Sequence, residues 1–193
     1  MASLYFDSQV YEDVDFKIIP PEKGDYENCS FENSDLSSVD LSEIRFIDCT
    51  FLNCNLSLTP MRHTAWRGTK FIGCKMLGLH FDDCNSLGLK VFFKNCILNH
   101  SSFYRVKIPK TIFSECQLHE IDFTESNLSG AQFNHCDLLN SVFENSNLEN
   151  ADFTSSYNFT IDPENNQIKN AAFSAGSLAG LLHKYKIRIE GGL

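Results

Sequence analysis

Large apolar residues occupy every fifth position over most of the chain. From Phe93 to Phe153 the series has thirteen members without an exception, and the residue two places before each member is mostly small. Neither a helix of 3.6 residues per turn nor a strand with a period of two produces strict fives. The pattern instead predicts a repeat solenoid in which one large and one small side chain of every five point inward.

The same rule holds nearer the N-terminus on a different phase. There the large positions run in fives from Phe31 to Phe81, and the two series are out of step by two residues. The shift falls near residues 85–92, where Asn85, Ser86 and Gly88 are typical of a loop. We therefore predict a two-residue insertion inside one continuous solenoid.

Residues twenty positions apart have the same character, which indicates four sides per turn. Phenylalanines form one column and leucines the next, so like side chains can stack along the axis and fill the interior. Successive turns would lie about 4.8 Å apart, the spacing of hydrogen-bonded strands. Cysteines repeat with the same period at the small inward position, where they serve as compact core residues. The predicted structural core includes Phe93, Phe113, Phe133, Phe153, Leu98, Leu118, Leu138, Cys96, Cys116 and Cys136.

These uninterrupted fives resemble the pentapeptide-repeat family, whose consensus is an alanine, an aspartate or asparagine, a leucine and two variable residues. Asn150–Thr154 and Ser129–Asn134 are close examples, and the resemblance covers nearly the whole chain. It implies an all-β fold, a right-handed quadrilateral β-helix over residues 1–176. Residues 177–193 would follow as a short C-terminal helix and strand.

This C-terminal segment has the pattern of a cap. It could simply cover the open end of the solenoid, which is otherwise an aggregation hazard. It could instead form the head-to-head dimer that the family resemblance implies, and we favour a homodimer because the segment is more apolar than a cap requires. The predicted cap or dimer interface comprises Leu178, Leu181, Leu182 and Tyr185 on one side of a helix, and Ile187 and Ile189 on a short strand.

Composition bears on where the protein works. The hydrophobic content is 42%, and no run of about 18 apolar residues is present, so no membrane span is predicted. The opening MASLYFDSQV carries an acid where a signal peptide has a basic and then an apolar segment. We therefore predict a cytoplasmic protein whose eight cysteines stay reduced.

The span CQLHEIDFTESNLSGAQFNHC raises the question of a zinc site. In the predicted solenoid Cys116 and Cys136 point inward, whereas His119 and His135 point outward. The four side chains therefore cannot converge on one ion at about 2.0–2.3 Å. Enzyme motifs such as G-x-S-x-G and the P-loop are absent from the sequence. We expect no metal, no cofactor and no enzymatic activity.

The net charge of −9 is unevenly placed along the chain. Residues 1–60 and 111–193 carry net charges of −9 and −7, whereas residues 61–110 carry +7. An acidic surface repels nucleic acid and attracts basic protein surfaces, so direct nucleic-acid binding is not favoured. The predicted acidic partner-binding surface comprises Glu115, Glu120, Asp122, Glu125, Asp137, Glu144, Glu149, Asp152 and Glu164.

The basic stretch has two interpretations. Bases around Trp66, followed by others up to Lys110, could bind nucleic acid. They could also be a solvated band that relieves repulsion between two acidic ends, which is the interpretation we favour. Trp66 occupies a large inward position in the column of Phe46, so we assign it to the core.

The resemblance is strongest to an immunity branch that includes the albicidin-resistance and microcin B17 immunity proteins, and that is related to quinolone-resistance members. It implies a DNA mimic that binds bacterial DNA gyrase or topoisomerase IV. Quinolone-resistance members carry longer loops than this sequence, so we expect gyrase binding or inhibition more readily than quinolone protection. The alternative is a generic interaction scaffold for another partner. The residues that carry the resemblance are Asp48–Leu58, Cys74–Gly78, Asn95–Asn99 and the ending Ile161–Leu182.

Overall fold

The computed structural model describes residues 4–190, which form a solenoid whose successive turns pair in parallel. Strand β7 pairs with both β5 and β6, because it spans two sides of one turn, and β8, β9 and β10 continue the stack from it. The strands are β1 (Leu4–Asp7), β2 (Val10–Glu12), β3 (Gly24–Glu27), β4 (Ser30–Glu32), β5 (Arg45–Ile47), β6 (Thr50–Leu52), β7 (Ala65–Ile72), β8 (Lys90–Lys94), β9 (Ile112–Ser114) and β10 (Gln132–Asn134).

Each turn has four sides, which we name faces A to D in chain order, so that A lies opposite C and B opposite D. Paired residues on a face are twenty positions apart, as with Phe113 and Phe133 on face A or Gln117 and Asp137 on face B. The predicted all-β quadrilateral β-helix with a short C-terminal helix is confirmed. The large inward residues are Phe31, Phe51, Phe71, Phe93, Phe113, Phe133 and Phe153 on face A; Leu36, Leu56, Met76, Leu98, Leu118 and Leu138 on face B; Leu41, Met61, Phe81, Phe103, Phe123 and Phe143 on face C; and Tyr26, Phe46, Trp66, Ile108, Leu128 and Leu148 on face D.

Stacked rings fill the interior along the axis. Phe113 lies parallel to Phe93 and to Phe133, with ring centroids 5.1 Å apart in both pairs. It also meets the edge of Phe123 on the opposite face at 6.2 Å. Offset-stacked and edge-to-face pairs are the favourable geometries for aromatic rings. Residues of both the phenylalanine and the leucine columns are buried from solvent.

Short polar side chains at the small inward position donate hydrogen bonds to the preceding turn. The Cys74 Sγ donates to the Phe51 carbonyl oxygen at 3.3 Å, and the Thr64 Oγ1 donates to the Leu41 carbonyl oxygen at 2.7 Å. Cysteine therefore occupies the same place, with the same kind of partner, as threonine. It is a weak donor as well as a compact core residue.

Most sides of the regular turns end at a corner residue in the left-handed conformation. Consecutive corners at Asn95, His100 and Arg105 have φ values of 53°, 62° and 58°. A backbone hydrogen bond closes the turn around the corner, as from the Val106 N–H to the Phe103 carbonyl oxygen at 3.0 Å. Such corners favour glycine or asparagine, and charged residues there carry local strain.

The register changes between β7 and β8. Phe71 pairs with Phe93, twenty-two positions on, and a bulge between Arg67 and Thr69 takes up the irregularity. The extra residues lie in a loop that follows a 3₁₀ segment, Phe81–Asp83, on the way to β8. Above and below this loop the stack continues without a break.

The C-terminal end is less regular than the rest. Phe159 packs between Phe153 and Phe173, with centroids 5.7 and 5.5 Å away. A 3₁₀ segment, a short helix and a second 3₁₀ segment then cross the end of the solenoid. They are Ala175–Ser177, α1 (Ala179–Leu182) and His183–Tyr185.

One detail of the predicted cap is wrong. Ile187 and Ile189 do not form a strand, because the chain has left the last turn and no strand pairs with it among residues 4–190. The final residues of the predicted segment, 191–193, lie outside the described residues. Within the described range, no helix has the length and apolar character needed to cross a membrane.

Candidate partner-binding surface

The described interior is filled by packed side chains. Across residues 4–190, no group of three or more His, Cys, Asp or Glu side chains is placed to hold a metal ion. A neighbouring thiol together with burial raises the pKa of Cys96 and of Cys116 to about 12. These thiols are therefore uncharged at neutral pH, and an uncharged buried thiol is a poor nucleophile and ligand.

The histidine that prompted the zinc question lies on the outside. The His119 Nε2 is 2.8 Å from the Asp137 Oδ2, although its direction is too oblique for a good hydrogen bond. Cys116 and Cys136 are buried on the other side of the same wall. Burial alone would raise the pKa of Asp137, but the hydrogen bond from Asn158 and the nearby His119 outweigh it and lower this pKa.

The nine predicted acidic residues lie on all four sides of the solenoid. The strand pairings place Glu115 and Asp152 on face A, Glu120 and Asp137 on face B, and Glu149 on face D. Face C carries the rest of the set, namely Asp122, Glu125, Glu144 and Glu164. The structure thus brings four of the nine together and separates the other five.

Face C is acidic beyond the predicted set. Asp162 joins Glu144 in lining a shallow depression at its C-terminal end. Asp82 and Asp83 lie on the same face nearer the N-terminus, one turn before Ser102. The acidic side of the protein is therefore a face that runs along the axis, and it is not a segment of the sequence.

Several acidic side chains have a basic neighbour. The Arg105 Nε lies 2.7 Å from the Glu125 Oε2 and lowers the pKa of that carboxyl. The Lys184 Nζ lies 2.7 Å from Asp162 and 2.6 Å from Glu164, and it lowers the pKa of both carboxyls. Glu144 is exposed and makes no ion pair with any described residue. It is an uncompensated carboxylate on the middle one of the three C-terminal turns of face C that carry acidic residues.

The predicted cap residues divide into one that packs inward and five that do not. Leu181 packs against the core, and the Gly180 carbonyl oxygen accepts a hydrogen bond from the Ile161 N–H at 3.1 Å. The Tyr185 hydroxyl donates to the Glu164 Oε1 at 2.9 Å, so polar contacts hold the segment too. The exposed members are Leu178, Leu182, Tyr185, Ile187 and Ile189.

A filled four-sided β-helix with a left-handed corner every five residues defines the class of solenoids built from pentapeptides. The family model described as "Pentapeptide repeat region" matches residues 25–90 and 89–181. The chain therefore belongs to the pentapeptide-repeat family. No curated protein matches the chain.

Two solved proteins show the same fold. Full-length QnrB1, described as a plasmid-mediated fluoroquinolone resistance protein, is 17% identical with a TM-score of 0.57, over 95% of this chain and 100% of that one. HetL from Nostoc sp. strain PCC 7120 is described as a pentapeptide-repeat protein involved in heterocyst differentiation regulation. It is 13% identical with a TM-score of 0.64, over 92% of this chain and 90% of that one. At these identities the similarity establishes the fold alone.

Proposed function

We propose that this chain is a non-enzymatic DNA mimic that binds DNA gyrase or topoisomerase IV through face C. The observation that carries the proposal is the placement of carboxylates on three successive turns of that face. A gyrase-binding role would place the protein in the cytoplasm. It would also fit an immunity or resistance protein of the albicidin and microcin B17 type. The carboxylates are Asp122, Glu125, Glu144, Asp162 and Glu164.

The density of these carboxylates is close to that of DNA. Three turns about 4.8 Å apart span about 10 Å of axis, which gives one carboxylate per 2–2.5 Å. Double-stranded DNA carries one negative charge per roughly 1.7 Å of axis. Arg105 and Lys184 offset part of this charge. A basic partner could displace both of them from their carboxylates, because exposed ion pairs are weak.

The proposal is tested by DNA supercoiling with purified gyrase. The protein should inhibit supercoiling at micromolar concentration, and inhibition should weaken as salt rises, because exposed charges are screened. Glu144→Lys should weaken inhibition by about tenfold or more, because it reverses an uncompensated charge that lies between two other turns of carboxylates on face C. Glu149→Lys is the matched control, since it makes the same charge change on face D.

Two results would count against face C as a gyrase-binding surface. One is the absence of any effect of the unmodified protein at micromolar concentration. The other is equal loss from Glu144→Lys and Glu149→Lys, which would indicate a general charge effect. Drug or toxin protection is measured separately, by comparing gyrase poisoning with and without the protein.

The alternative is an interaction scaffold for a different protein. The fold is compatible with a scaffold role, because HetL has the same fold and is described as involved in heterocyst differentiation regulation. A scaffold of this kind would leave gyrase unaffected at any salt concentration. Capture of partners from a bacterial lysate, with Glu144→Lys as a comparison, would then identify the surface in use.

We also infer that the C-terminal segment forms a homodimer. The exposed side chains of Leu178 and Leu182 lie beside the end of the solenoid, and no residue between 4 and 190 buries them. Apolar patches of this kind mark association surfaces. Sedimentation should show a dimer that Leu178→Asp dissociates. A monomeric unmodified protein would refute the dimer and leave the segment as a simple cap.

A further inference from the structure

A groove lies where face D meets face A, beside the loop that contains the register shift. It has a volume of about 580 Å³, within the range of about 300–1,000 Å³ that is usual for ligand sites. Lys70, Lys90 and Lys110 line it together with Phe92 and Ile112. Its floor is apolar and its walls are basic.

The basic residues here are free of acidic partners. Lys70, Lys90 and Lys110 make no ion pair with any residue between 4 and 190, and neither do Arg67 and Lys94. The Arg67 Nε is buried without a hydrogen-bond partner, and its side chain runs past Gly88 at the mouth of the loop.

The apolar floor departs from the pattern of the repeat. Phe92 and Ile112 are paired neighbours at an outward position of face A, where adjacent turns have Lys70 and Gln132. Both are only half-buried. Large apolar side chains at outward positions are not needed by the core, so they provide contact area for an occupant of the groove.

An occupant would have to bind side chains. Strand β8 is already paired with β7 on one side and with β9 on the other, so no backbone edge is free in the groove. The unpaired bases lie on three successive turns, a stretch of about 10 Å along the axis. Acids flank the stretch along the axis on the same faces, with Asp48 one turn before it on face D and Asp152 two turns after Ile112 on face A.

We propose that this groove binds an acidic peptide segment that carries large apolar side chains. Carboxylates would pair with Lys70, Lys90 and Lys110, and an apolar side chain would rest on Phe92 and Ile112. A short peptide segment that runs perpendicular to the axis of the solenoid avoids the acids that flank the groove along the axis. A nucleic acid strand that follows the axis continues past the basic stretch and would meet Asp48 or Asp152, where phosphate is repelled.

This site is independent of the proposed gyrase-binding surface. The groove lies along one border of face A, and face A is opposite face C, so both surfaces can be occupied at once. Variants in the groove should leave supercoiling inhibition by the protein unchanged, which separates the failure of one proposal from the failure of the other.

The probe is a fluorescein-labelled heptapeptide of five glutamates and two phenylalanines, measured by fluorescence anisotropy with the full chain. We expect saturable binding that weakens as salt rises. Lys70→Glu and Lys110→Glu should each weaken it by about tenfold or more. Lys75→Glu is the matched control, because Lys75 is an exposed base without an ion pair on face B, and it should have no effect.

Two further arms test the chemistry of the occupant. A heptapeptide of glutamates alone should bind more weakly than the probe, and Phe92→Ser should remove that difference while the fold is retained. A single-stranded oligonucleotide should bind more weakly than the peptide. The proposal is overturned by an absence of saturable peptide binding, by an equal loss with Lys75→Glu, by no difference between the two peptides, or by tighter binding of the oligonucleotide.

Discussion

Adding one methyl group at Gly180 should lift the C-terminal segment from the end of the solenoid. A Cβ at this position would overlap the carbonyl oxygen of Phe159 and lie 2.9 Å from two carbons of its ring. Phe159 is buried between two other rings, so neither its backbone nor its ring can move away cheaply. The hydrogen bond from Ile161 to the Gly180 carbonyl holds α1 against this obstacle.

The net effect is a difference between two opposing terms. Overpacking of a filled site costs about 1–3 kcal/mol. Replacing glycine by alanine in a helix stabilises the helix by about 0.5–1 kcal/mol. Gly180→Ala should therefore destabilise the docked segment by about 0.5–2 kcal/mol. At Gly176 a Cβ would meet nothing within 4 Å, so Gly176→Ala should be neutral or stabilising by up to about 1 kcal/mol.

Amide hydrogen exchange reports the docking directly, because the Ile161 N–H is bonded to the Gly180 carbonyl. Exchange at Ile161 should accelerate by roughly threefold to thirtyfold in Gly180→Ala, which corresponds to about 0.5–2 kcal/mol. It should not accelerate in Gly176→Ala. Unchanged exchange in Gly180→Ala, or equal acceleration in both variants, would refute the idea that α1 packs tightly on Phe159.

Three other outcomes can be checked on the same protein. Phe113→Ala should lower the free energy of unfolding in urea by about 3–5 kcal/mol. Phe173→Ala should lower it by less than half of that, because Phe173 is half-buried and stacks on one ring of its own column. Equal losses of stability in the two variants would contradict the stacking account. For Asp35, burial would raise the pKa but hydrogen bonds from Lys17 and Ser37 lower it to about 2. The stabilisation from this carboxylate should therefore be complete above its ordinary pKa of 3.8 and be lost as pH falls toward 2. An NMR titration that gives Asp35 its ordinary pKa, or an identical pH dependence of stability in Asp35→Asn, would contradict this. A maleimide at neutral pH should leave the seven buried thiols unmodified until urea is added, because the folded chain keeps the reagent from them. For Cys49 and Cys116 the pKa is also raised to about 12, by burial at Cys49 and by the neighbouring Cys136 thiol together with burial at Cys116. Rapid labelling of Cys116 in the folded protein would contradict this.

The periodic pattern predicts the fold because one rule applies at every turn. A phenylalanine such as Phe113 can be assigned to an inward column by counting alone, and the twenty-residue period then determines which residues stack. The same counting places Trp66 in the column of Phe46, where it is fully buried and stacked at 4.6 Å. These inferences need only periodicity, so they do not depend on distant contacts.

Features that depend on the path of the backbone are not visible in that pattern. The donor role of Cys74 depends on a carbonyl oxygen twenty-three residues earlier, and this requires the coordinates of two turns. The prediction of a strand at Ile187 and Ile189 is wrong, because alternation of apolar residues does not indicate whether a neighbouring backbone is available for pairing. The groove at Lys70 and Lys110 depends on the two-residue register shift, which brings these bases beside Phe92.

The charge distribution shows most clearly what a one-dimensional count misses. Net charges of three successive segments suggest a basic band between two acidic ends, yet each turn distributes its residues over four directions. Arg105 lies on acidic face C, where it is paired with Glu125, whereas Lys110 lies five residues later on the next face without an acidic partner. The face on which a residue lies is therefore given by its position within the twenty-residue turn, after two residues are subtracted from the count beyond residue 85. Read in this way, the sequence separates an acidic side from a basic groove near the opposite face.

Corner residues explain how these surfaces are exposed despite a tightly packed interior. His100, Arg105, Glu120 and Glu125 all adopt positive φ, a conformation that costs an ordinary side chain about 1–2 kcal/mol. Their side chains project from the edges of the solenoid, and they pair one turn apart, as His100 does with Glu120 at 3.2 Å. Exposed pairs of this kind are too weak to repay the strain, so the buried columns must stabilise the corners. The solenoid thus holds charged groups in strained, exposed positions, where a partner can reach them.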